Sequence, residues 1–197
     1  MHTNGLPAAQ RIPAFAGMTI FIKIEKNNEK LSTVTMTRVL GIDPGLIHTG
    51  WSVIDTAGSN RKYVASGVIL PKTTNTLSER LATIFREVSK LIDTFDPDEC
   101  SIEITFVNQN PKTTLILGHA RAAAIVAVAN RDIPIYEYEP NKIKKALTGA
   151  GHADKSAIDK MVKILLPAAH PKTADEADAI AIALAHANMS ALQRLIS

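Results

Sequence analysis

The order in which strand-like and helix-like segments follow one another constrains this chain more than any other feature of its sequence. Three apolar runs, at residues 38–43, 50–55 and 62–70, are separated only by short segments that contain Pro-Gly or Gly-Ser-Asn. This spacing predicts an antiparallel meander of three strands. Helical periodicity and strand-like runs then alternate, so the predicted order of elements is βββ-α-β-α-β-α-α.

This alternation also predicts the fold class. A capping box, Thr76-x-x-Glu79, predicts where the first helix begins. The later elements are predicted at residues 100–106 and 133–138 for strands and at 113–130, 154–166 and 173–195 for helices. Such an order is typical of an α/β protein with a five-stranded mixed sheet flanked by helices. In such sheets, functional side chains collect at the strand ends and at the helix starts that face them.

Composition narrows the choice of protein class. The 197 residues are 46% hydrophobic and 21% charged, which is enough apolar material for one globular domain with a core. The sequence contains no run of 18 or more apolar residues, so we expect no membrane span. A single cysteine, Cys100, excludes an internal disulfide framework and a cysteine-rich zinc site. The net charge is +3, and part of that excess falls in residues 1–35, so any binding of nucleic acid must depend on local basic patches.

The first 35 residues read differently from the rest of the chain. Residues 12–22 resemble the core of a signal peptide, but Pro13 and Gly17 interrupt them and a charged segment follows. Met36 stands directly before the first predicted strand. We therefore expect residues 1–35 to be an N-terminal extension that is disordered or not translated, and residues 36–197 to form the domain. The alternative is that the apolar stretch adds an edge strand or covers an apolar patch.

Four carboxylates lie in the predicted strands and in the first turns of the last predicted helix. Asp43 closes the first strand within Gly-Ile-Asp-Pro-Gly, and Glu103 lies inside the apolar strand Ser-Ile-Glu-Ile. Asp175 and Asp178 are three residues apart, so they share one face of the last helix. By the same helical geometry, we expect the neighbouring Glu176 to face solvent.

Each of these carboxylates also has a plainer structural interpretation. Asp43 could be a turn residue, and the two helical aspartates could be a helix-dipole partner and a solvated side chain. Glu103 is harder to explain in this way, because burying an unpartnered carboxylate costs several kcal/mol.

Convergence of the four carboxylates on one site is the stronger interpretation. Carboxylates placed together repel one another and raise their own pKa values unless cations neutralise them. Magnesium prefers such oxygen ligands, and two ions about 4 Å apart can support the hydrolysis of a phosphodiester. The sequence therefore predicts a magnesium-dependent hydrolytic site.

Several motifs, in a fixed order, carry a resemblance to a known family. They are Gly-Ile-Asp-Pro-Gly at 41–45 with Thr49-Gly50-Trp51, Ile102-Glu103-x-x-Phe106, Gly149-x-Gly151-His152-Ala153-Asp154-Lys155-Ser156, and Ala174-Asp175-x-x-Asp178-Ala179. Over nearly all of its length after residue 35, the chain resembles the RuvC-type crossover junction endodeoxyribonucleases, bacterial Holliday junction resolvases with a ribonuclease H-like fold. The resemblance implies that residues 36–197 form a ribonuclease H-like nuclease domain.

The resemblance also implies roles for individual residues and for the assembly. The implied roles are a catalytic, metal-binding tetrad of Asp43, Glu103, Asp175 and Asp178, an aromatic DNA-stacking residue, Phe106, and two phosphate-contacting lysines, Lys144 and Lys155. The implied protein is a homodimer in the bacterial cytoplasm, associated with the nucleoid and acting beside the RuvA–RuvB branch-migration complex. It would use two Mg²⁺ ions per site, with Mn²⁺ as a substitute, to cut four-way junction DNA during homologous recombination and DNA repair.

Two departures from the family pattern stand out, and two other functions stay open. Ile104 occupies a position that is usually polar in the family, and the basic C-terminal tail of some members is absent from the sequence.

An actin-like or sugar-kinase-type ATPase fragment would share the opening motif and the meander but would need a second lobe. A junction-binding module without catalysis is the other alternative, and the complete set of carboxylates argues against it.

Other polar residues are less informative. Three lysines between residues 142 and 145 form either a solvated basic face or a set of phosphate contacts. The alanine-rich helix at 113–130 either packs in the core or forms the seam of a two-fold dimer. No sequence pattern predicts a partner for His119, His152 or His186.

Overall fold

The computed structural model describes residues 20–21, 34–104 and 111–196. Within these residues it contains seven strands and five helices. They are β1 (Ile20–Phe21), β2 (Val34–Thr35), β3 (Thr37–Asp43), β4 (Thr49–Ala57), β5 (Asn60–Ile69), α1 (Leu77–Phe95), β6 (Glu99–Glu103), α2 (Pro111–Ala129), β7 (Ile135–Tyr138), α3 (Pro140–Thr148), α4 (Lys155–Leu165) and α5 (Ala174–Ile196).

The main sheet has five strands in the order β5-β4-β3-β6-β7. Strand β4 is antiparallel to both β3 and β5, as the short turns between them require. Strand β6 is parallel to both β3 and β7, and the helices α1 and α2 provide the long connections that parallel pairing needs. The predicted five-stranded mixed sheet with flanking helices is therefore confirmed.

Each face of the sheet carries its own apolar core, because successive strand residues point to opposite faces. On one face, Leu40 and Ile42 of β3 pack with Ile102 of β6 and with helices α1 and α2. On the other face, Val39 packs among residues of α3, α4 and α5. Asp43 lies four positions after Val39 on the same strand, so its side chain belongs to the face that α5 covers.

The order of elements after β7 corrects the prediction, because three helices follow this strand and only two were predicted. The additional helix is α3, which is short, begins with Pro140 and buries only Ile143 and Leu147. Two apolar residues four positions apart among several lysines give too brief a periodicity to predict a helix.

Glu176 corrects a second prediction, because its side chain is buried instead of facing solvent. The carboxylate accepts a hydrogen bond of 3.0 Å from the backbone N–H of Lys172 and one of 3.3 Å from the Ser66 hydroxyl of β5. Glu176 therefore anchors the start of α5 to the sheet. Periodicity within one helix cannot reveal such a partner, because it lies on another element.

The described part of the N-terminal segment forms a separate two-stranded sheet. Strands β1 and β2 pair antiparallel, with Ile20 opposite Thr35 and Phe21 opposite Val34. They do not join the five-stranded sheet, which starts at Thr37. That residues 1–35 are disordered or untranslated stays a prediction.

Helix α2 has an inner face in the core and an outer face in solvent. Ala120 and Ala124 are fully buried, whereas Leu115 and Val126 are exposed. By length and composition, its segment Lys112–Ala129 is apolar enough to cross a membrane, with a mean hydropathy of 1.2 and 22% of the segment buried. The core interpretation of this helix therefore holds for its inner face, and the dimer seam stays a prediction for the outer face.

Candidate active site

The ends of two neighbouring parallel strands bring the first two predicted carboxylates together. Asp43 is the last residue of β3 and Glu103 is the last residue of β6. The register pairs Ile42 with Ile102, so the two carboxylates lie side by side at one edge of the sheet. Strand alternation places both on the face opposite these isoleucines, which is the face that α5 covers.

Two glycines allow helix α5 to approach this edge. A Cβ atom on Gly41 would lie 2.5 Å from the carbonyl oxygen of Ala179. A Cβ atom on Gly50 would overlap the carbonyl of Asp175. The Ser52 hydroxyl donates a hydrogen bond of 2.9 Å to the same Ala179 carbonyl. The first turns of α5 therefore lie directly on β3 and β4, with the two helical aspartates beside the strand ends.

The pKa values of the strand carboxylates show that all four share one environment. Burial, together with the negative charges of Asp178 and Asp175, raises the pKa of Asp43 from 3.8 to about 6. Burial, together with the charges of Asp43 and Asp178, raises the pKa of Glu103 from 4.5 to about 7. The cluster therefore carries mutual repulsion that a bound cation or protons would relieve.

Both predicted lysines lie close to these carboxylates. Lys155 Nζ is 3.1 Å from Asp178 Oδ2, and its charge partly lowers the pKa of Asp43. The charge of Lys144 similarly opposes the rise in the pKa of Glu103. Lys155 is the first residue of α4, and its position is fixed because Asp154 caps that helix by accepting a hydrogen bond of 2.8 Å from Ala157 N–H.

The donor chemistry of the site suits a hard divalent cation. Four carboxylates from three elements supply only oxygen ligands, the type that magnesium prefers. Across residues 34–104 and 111–196, no group of three or more His, Cys, Asp or Glu side chains is arranged to hold an ion as it stands. Two of the carboxylates have other neighbours: Lys155 pairs with Asp178, and His48 Nδ1 lies 3.7 Å from Asp175 Oδ2. Coordination of an ion would require these side chains to move toward it.

The loop between β3 and β4 contributes residues that the sequence analysis did not identify. The Thr49 hydroxyl donates a hydrogen bond of 2.6 Å to the Gly45 carbonyl. Arg80 of α1 donates one of 2.7 Å to the carbonyl of Leu46. These bonds hold His48 at the edge of the carboxylate cluster. The only available signal was the spacing between Gly-Ile-Asp-Pro-Gly and Thr-Gly, which does not identify Arg80.

The strand β6 side of the site is described only in part. Phe106 lies outside the described residues, so its stacking role stays a prediction. The Ile104 N–H donates a hydrogen bond of 2.9 Å to the Tyr138 carbonyl, which extends the ladder beyond Glu103. Lys142, which matches no functional lysine of the family, places its Nζ 5.6 Å from the centre of the Tyr138 ring.

A buried chain of polar side chains lies behind the site and was not predicted. His186 is fully buried, with Nδ1 2.7 Å from the Tyr138 hydroxyl and Nε2 2.7 Å from Glu99 Oε2. The Tyr136 ring packs on the imidazole with the ring centres 4.5 Å apart. No local pattern marks these residues, because they come from β6, β7 and α5. These hydrogen-bonded side chains connect the edge strand of the sheet to the helix that carries two of the carboxylates.

Comparison with known proteins decides the family. The family model described as "Crossover junction endodeoxyribonuclease RuvC" matches residues 39–186, which is more than half of the chain. The chain belongs to the RuvC family. The predicted resemblance is thereby confirmed, as are the ribonuclease H-like fold and the assignment as an endodeoxyribonuclease. RuvC proteins are metal-dependent nucleases.

Individual RuvC relatives match most of the chain. A crossover junction endodeoxyribonuclease RuvC from Rhodopseudomonas palustris strain TIE-1 is 50% identical over 159 residues, which cover 80% of this chain and 91% of the relative. Thermus thermophilus RuvC in complex with a Holliday junction substrate has a TM-score of 0.75 at 30% identity, covering 80% of this chain and 96% of that chain. The yeast mitochondrial Holliday junction resolvase Ydc2 shares the fold, with a TM-score of 0.58 at 16% identity over 80% of this chain and 81% of that chain.

Proposed function

We propose that this chain resolves four-way DNA junctions by hydrolysing phosphodiester bonds in homologous recombination and DNA repair. The observation that carries the proposal is the meeting of Asp43 and Glu103 at adjacent strand ends, under the start of α5, in a chain of the RuvC family. The Thermus relative is in complex with a Holliday junction substrate, and a four-way junction is therefore the substrate proposed for this chain.

Magnesium is the proposed cofactor, held by Asp43, Glu103, Asp175 and Asp178, with two ions in each site and manganese as a substitute. The chemistry that such ions would supply is polarisation of the scissile phosphate and a lower pKa for the attacking water. The protein contributes a fixed framework, because two of the carboxylates stand on paired strands and two on a helix that packs against them. The backbone positions of the four carboxylates are thereby fixed, so only side chains such as Asp175 and Asp178 have to reorient when ions bind.

The lysines around the cluster are proposed to position the DNA backbone. Lys155 is exposed and pairs with Asp178, so its ammonium group could pair with a scissile phosphate instead of with that carboxylate. Lys144 acts on the other side, near Glu103. Lys142 and Lys145 are exposed on the same helix, α3, and extend the basic surface toward the flanking phosphates. Phe106 is proposed to stack on a base near the branch point.

A homodimer is the proposed assembly, with the outer face of α2 as its seam. Leu115 and Val126 are exposed on this helix, and a two-fold dimer would bury both. A four-way junction has two equivalent strands to cut, which two symmetric sites would match. The dimer is proposed to act beside RuvA–RuvB in the bacterial cytoplasm, associated with the nucleoid.

A synthetic four-way junction, labelled on one strand, tests the proposed function. Incubation with the full chain and magnesium should give paired symmetric cuts on a denaturing gel, and a native gel should show the bound junction. Calcium should support binding without efficient cleavage, because it takes longer and more variable coordination than magnesium. Binding without any cleavage in magnesium would instead indicate a junction-binding module, and turnover of ATP without cleavage would indicate an ATPase fragment.

A further inference from the structure

Exposed apolar side chains lie at the end of the sheet that carries the carboxylates, in the β3–β4 loop, just after β5 and at the start of α1. Ile47 is 55% exposed, Leu70 is 65% exposed and Leu77 is 42% exposed. These three residues are called the apolar rim below. Single exposed apolar residues are ordinary on a protein surface, but a group of them beside a site indicates something that binds there.

The fold places the apolar rim next to the carboxylate site. Strand β4 begins at Thr49 opposite Ile69 of β5, so Leu70 and the loop residue Ile47 lie at the same end of the β4–β5 ladder. The hydrogen bond from Arg80 to the loop carbonyl joins the first turns of α1, where Leu77 lies, to this end.

The position of His48 shows that Ile47 lies close to the carboxylates. It directly follows Ile47, and its Nδ1 is 3.7 Å from Asp175 Oδ2. Ile47, the member of the rim next to His48 in sequence, therefore lies beside the proposed reaction centre.

Hydrogen bonds fix the loop that carries Ile47. Leu46 and Ile69, which directly precede Ile47 and Leu70 in the sequence, are buried, whereas Ile47 and Leu70 themselves are exposed. The hydrogen bonds of Thr49 to Gly45 hold the loop closed. Because this loop does not need to be ordered on binding, Ile47 offers contact at a low entropic cost.

We propose that the apolar rim contacts bases of the DNA strand that enters the carboxylate site and holds the nucleotide beside the scissile phosphate out of its stack. This inference rests on the proposed function. Aliphatic side chains gain nothing from a charged phosphate, whereas they gain contact area against an unstacked base, and apolar wedges of this type open base steps in other DNA-binding proteins. Lys72 is exposed two residues after Leu70 and is placed to meet the phosphate that accompanies such a base.

Alanine variants of the rim test the inference against a matched control. Ile47→Ala and Leu70→Ala are compared with Ile164→Ala, which removes a side chain that is 68% exposed on α4. Single-turnover cleavage is measured in magnesium. The fluorescence of 2-aminopurine placed beside the cleavage site, which rises on unstacking, is measured in calcium. We expect Ile47→Ala to slow cleavage about tenfold and to reduce the fluorescence rise, and Ile164→Ala to leave both unchanged.

Substitutions that change the chemistry of the rim separate a base contact from a phosphate contact. Ile47→Leu should retain cleavage and fluorescence, because it keeps the apolar volume. Ile47→Lys should reduce the fluorescence rise as much as Ile47→Ala does, even though it adds a positive charge. Thermal unfolding of every variant should match the wild type, because the rim side chains are exposed.

Three outcomes would overturn the inference. Normal cleavage and fluorescence in both rim variants would exclude a role at the junction, and slowed cleavage with a full fluorescence rise would exclude the base contact. Normal cleavage of the free junction with loss of stimulation by a branch-migration complex would assign the rim to a protein partner. The wild type serves as the reference in each series, so its failure to cleave would overturn the proposed function instead.

Discussion

The four carboxylates differ in backbone setting but share one electrostatic field, and single isosteric substitutions separate their contributions. Asp43→Asn, Glu103→Gln and Asp178→Asn should each abolish junction cleavage and leave junction binding largely intact, because we propose that the carboxylates hold metal and that basic residues hold DNA. Cleavage and binding are measured on denaturing and native gels. Asp132→Asn is the control, since this exposed carboxylate has a φ of 55° that asparagine also accommodates. Near-normal cleavage by any of the three variants would remove that residue from the proposed tetrad.

The same residues predict how the stability of the metal-free protein depends on pH. Because folding raises the pKa of Asp43 to about 6 and that of Glu103 to about 7, the folded state holds more protons than the unfolded state between about pH 4 and pH 7. The free energy of unfolding should therefore decrease as the pH rises through this window. Asp43→Asn should raise the free energy of unfolding at pH 8 by about 1 kcal/mol, which corresponds to a rise of a few degrees in the unfolding midpoint. The same substitution should have little effect at pH 4. Thermal unfolding in EDTA measures both values.

Magnesium provides the converse of this experiment. Addition of magnesium at pH 8 should raise the unfolding midpoint of the wild type, because a ligand that binds only the folded state stabilises it. The increase should be smaller in Asp43→Asn. Equal stabilisation of the two proteins would mean that magnesium binds elsewhere on the chain.

At the scale of elements, the fit of α5 against β3 and β4 depends on the absence of two side chains. Gly50→Ala would push a methyl group into the backbone of Asp175. The helix must then move away from the sheet, at a cost of about 1–3 kcal/mol, and the two halves of the tetrad separate. The free energy of unfolding measured in denaturant and the rate of junction cleavage should both decrease. Gly118→Ala is the control, because a methyl group there meets no atom within 4 Å and alanine favours the helix.

The elements with long, regular patterns could be predicted from the sequence, and those defined by partners could not. The meander, the helix capped by Thr76 and the last helix appear close to their predicted bounds. Helix α3 was missed, because Ile143 and Leu147 are too few to establish a period. Its extent becomes defined only when those two side chains meet the core beneath α5.

The candidate site shows the same division. Strand alternation and the i, i+3 spacing of the helical aspartates give the face and the strand end for each carboxylate. They do not give the pairing of β3 with β6, the burial of Glu176 or the partners of His186, which depend on elements distant in sequence. The resemblance to a family implied the convergence of the four carboxylates, but it implied neither the burial of Glu176 nor the partners of His186.

At the scale of the whole molecule, the outer face of α2 predicts the oligomeric state. Leu115→Glu should convert a dimer to a monomer, because it places a charge in the proposed seam. Sizing chromatography with light scattering measures the change, and the monomer should lose paired cutting of the two junction strands. Ile164→Glu, which places the same charge on α4, should leave the dimer intact. A chain that is already a monomer as wild type would contradict the proposal.

The body of the chain carries every element that the proposed site uses, so the extension should be dispensable. A chain that begins at Met36 should match the full chain in thermal unfolding, sizing and junction cleavage, since the main sheet starts at Thr37. A fall of several degrees in the unfolding midpoint, which corresponds to a loss of about 1 kcal/mol in the free energy of unfolding, would show that the extension supports the fold. Mass spectrometry of the native N-terminus determines separately whether residues 1–35 are made.

Helix α5 supplies two of the four carboxylates and also fills the core on one face of the sheet. It is the last described element to leave the ribosome, so a nascent chain that stops before Ala174 holds half of the cluster and lacks the helix that covers its sheet. The proposed reactive centre would thus be complete only after α5 has been synthesised. A copy that stops before α5 would hold only Asp43 and Glu103 of the proposed tetrad.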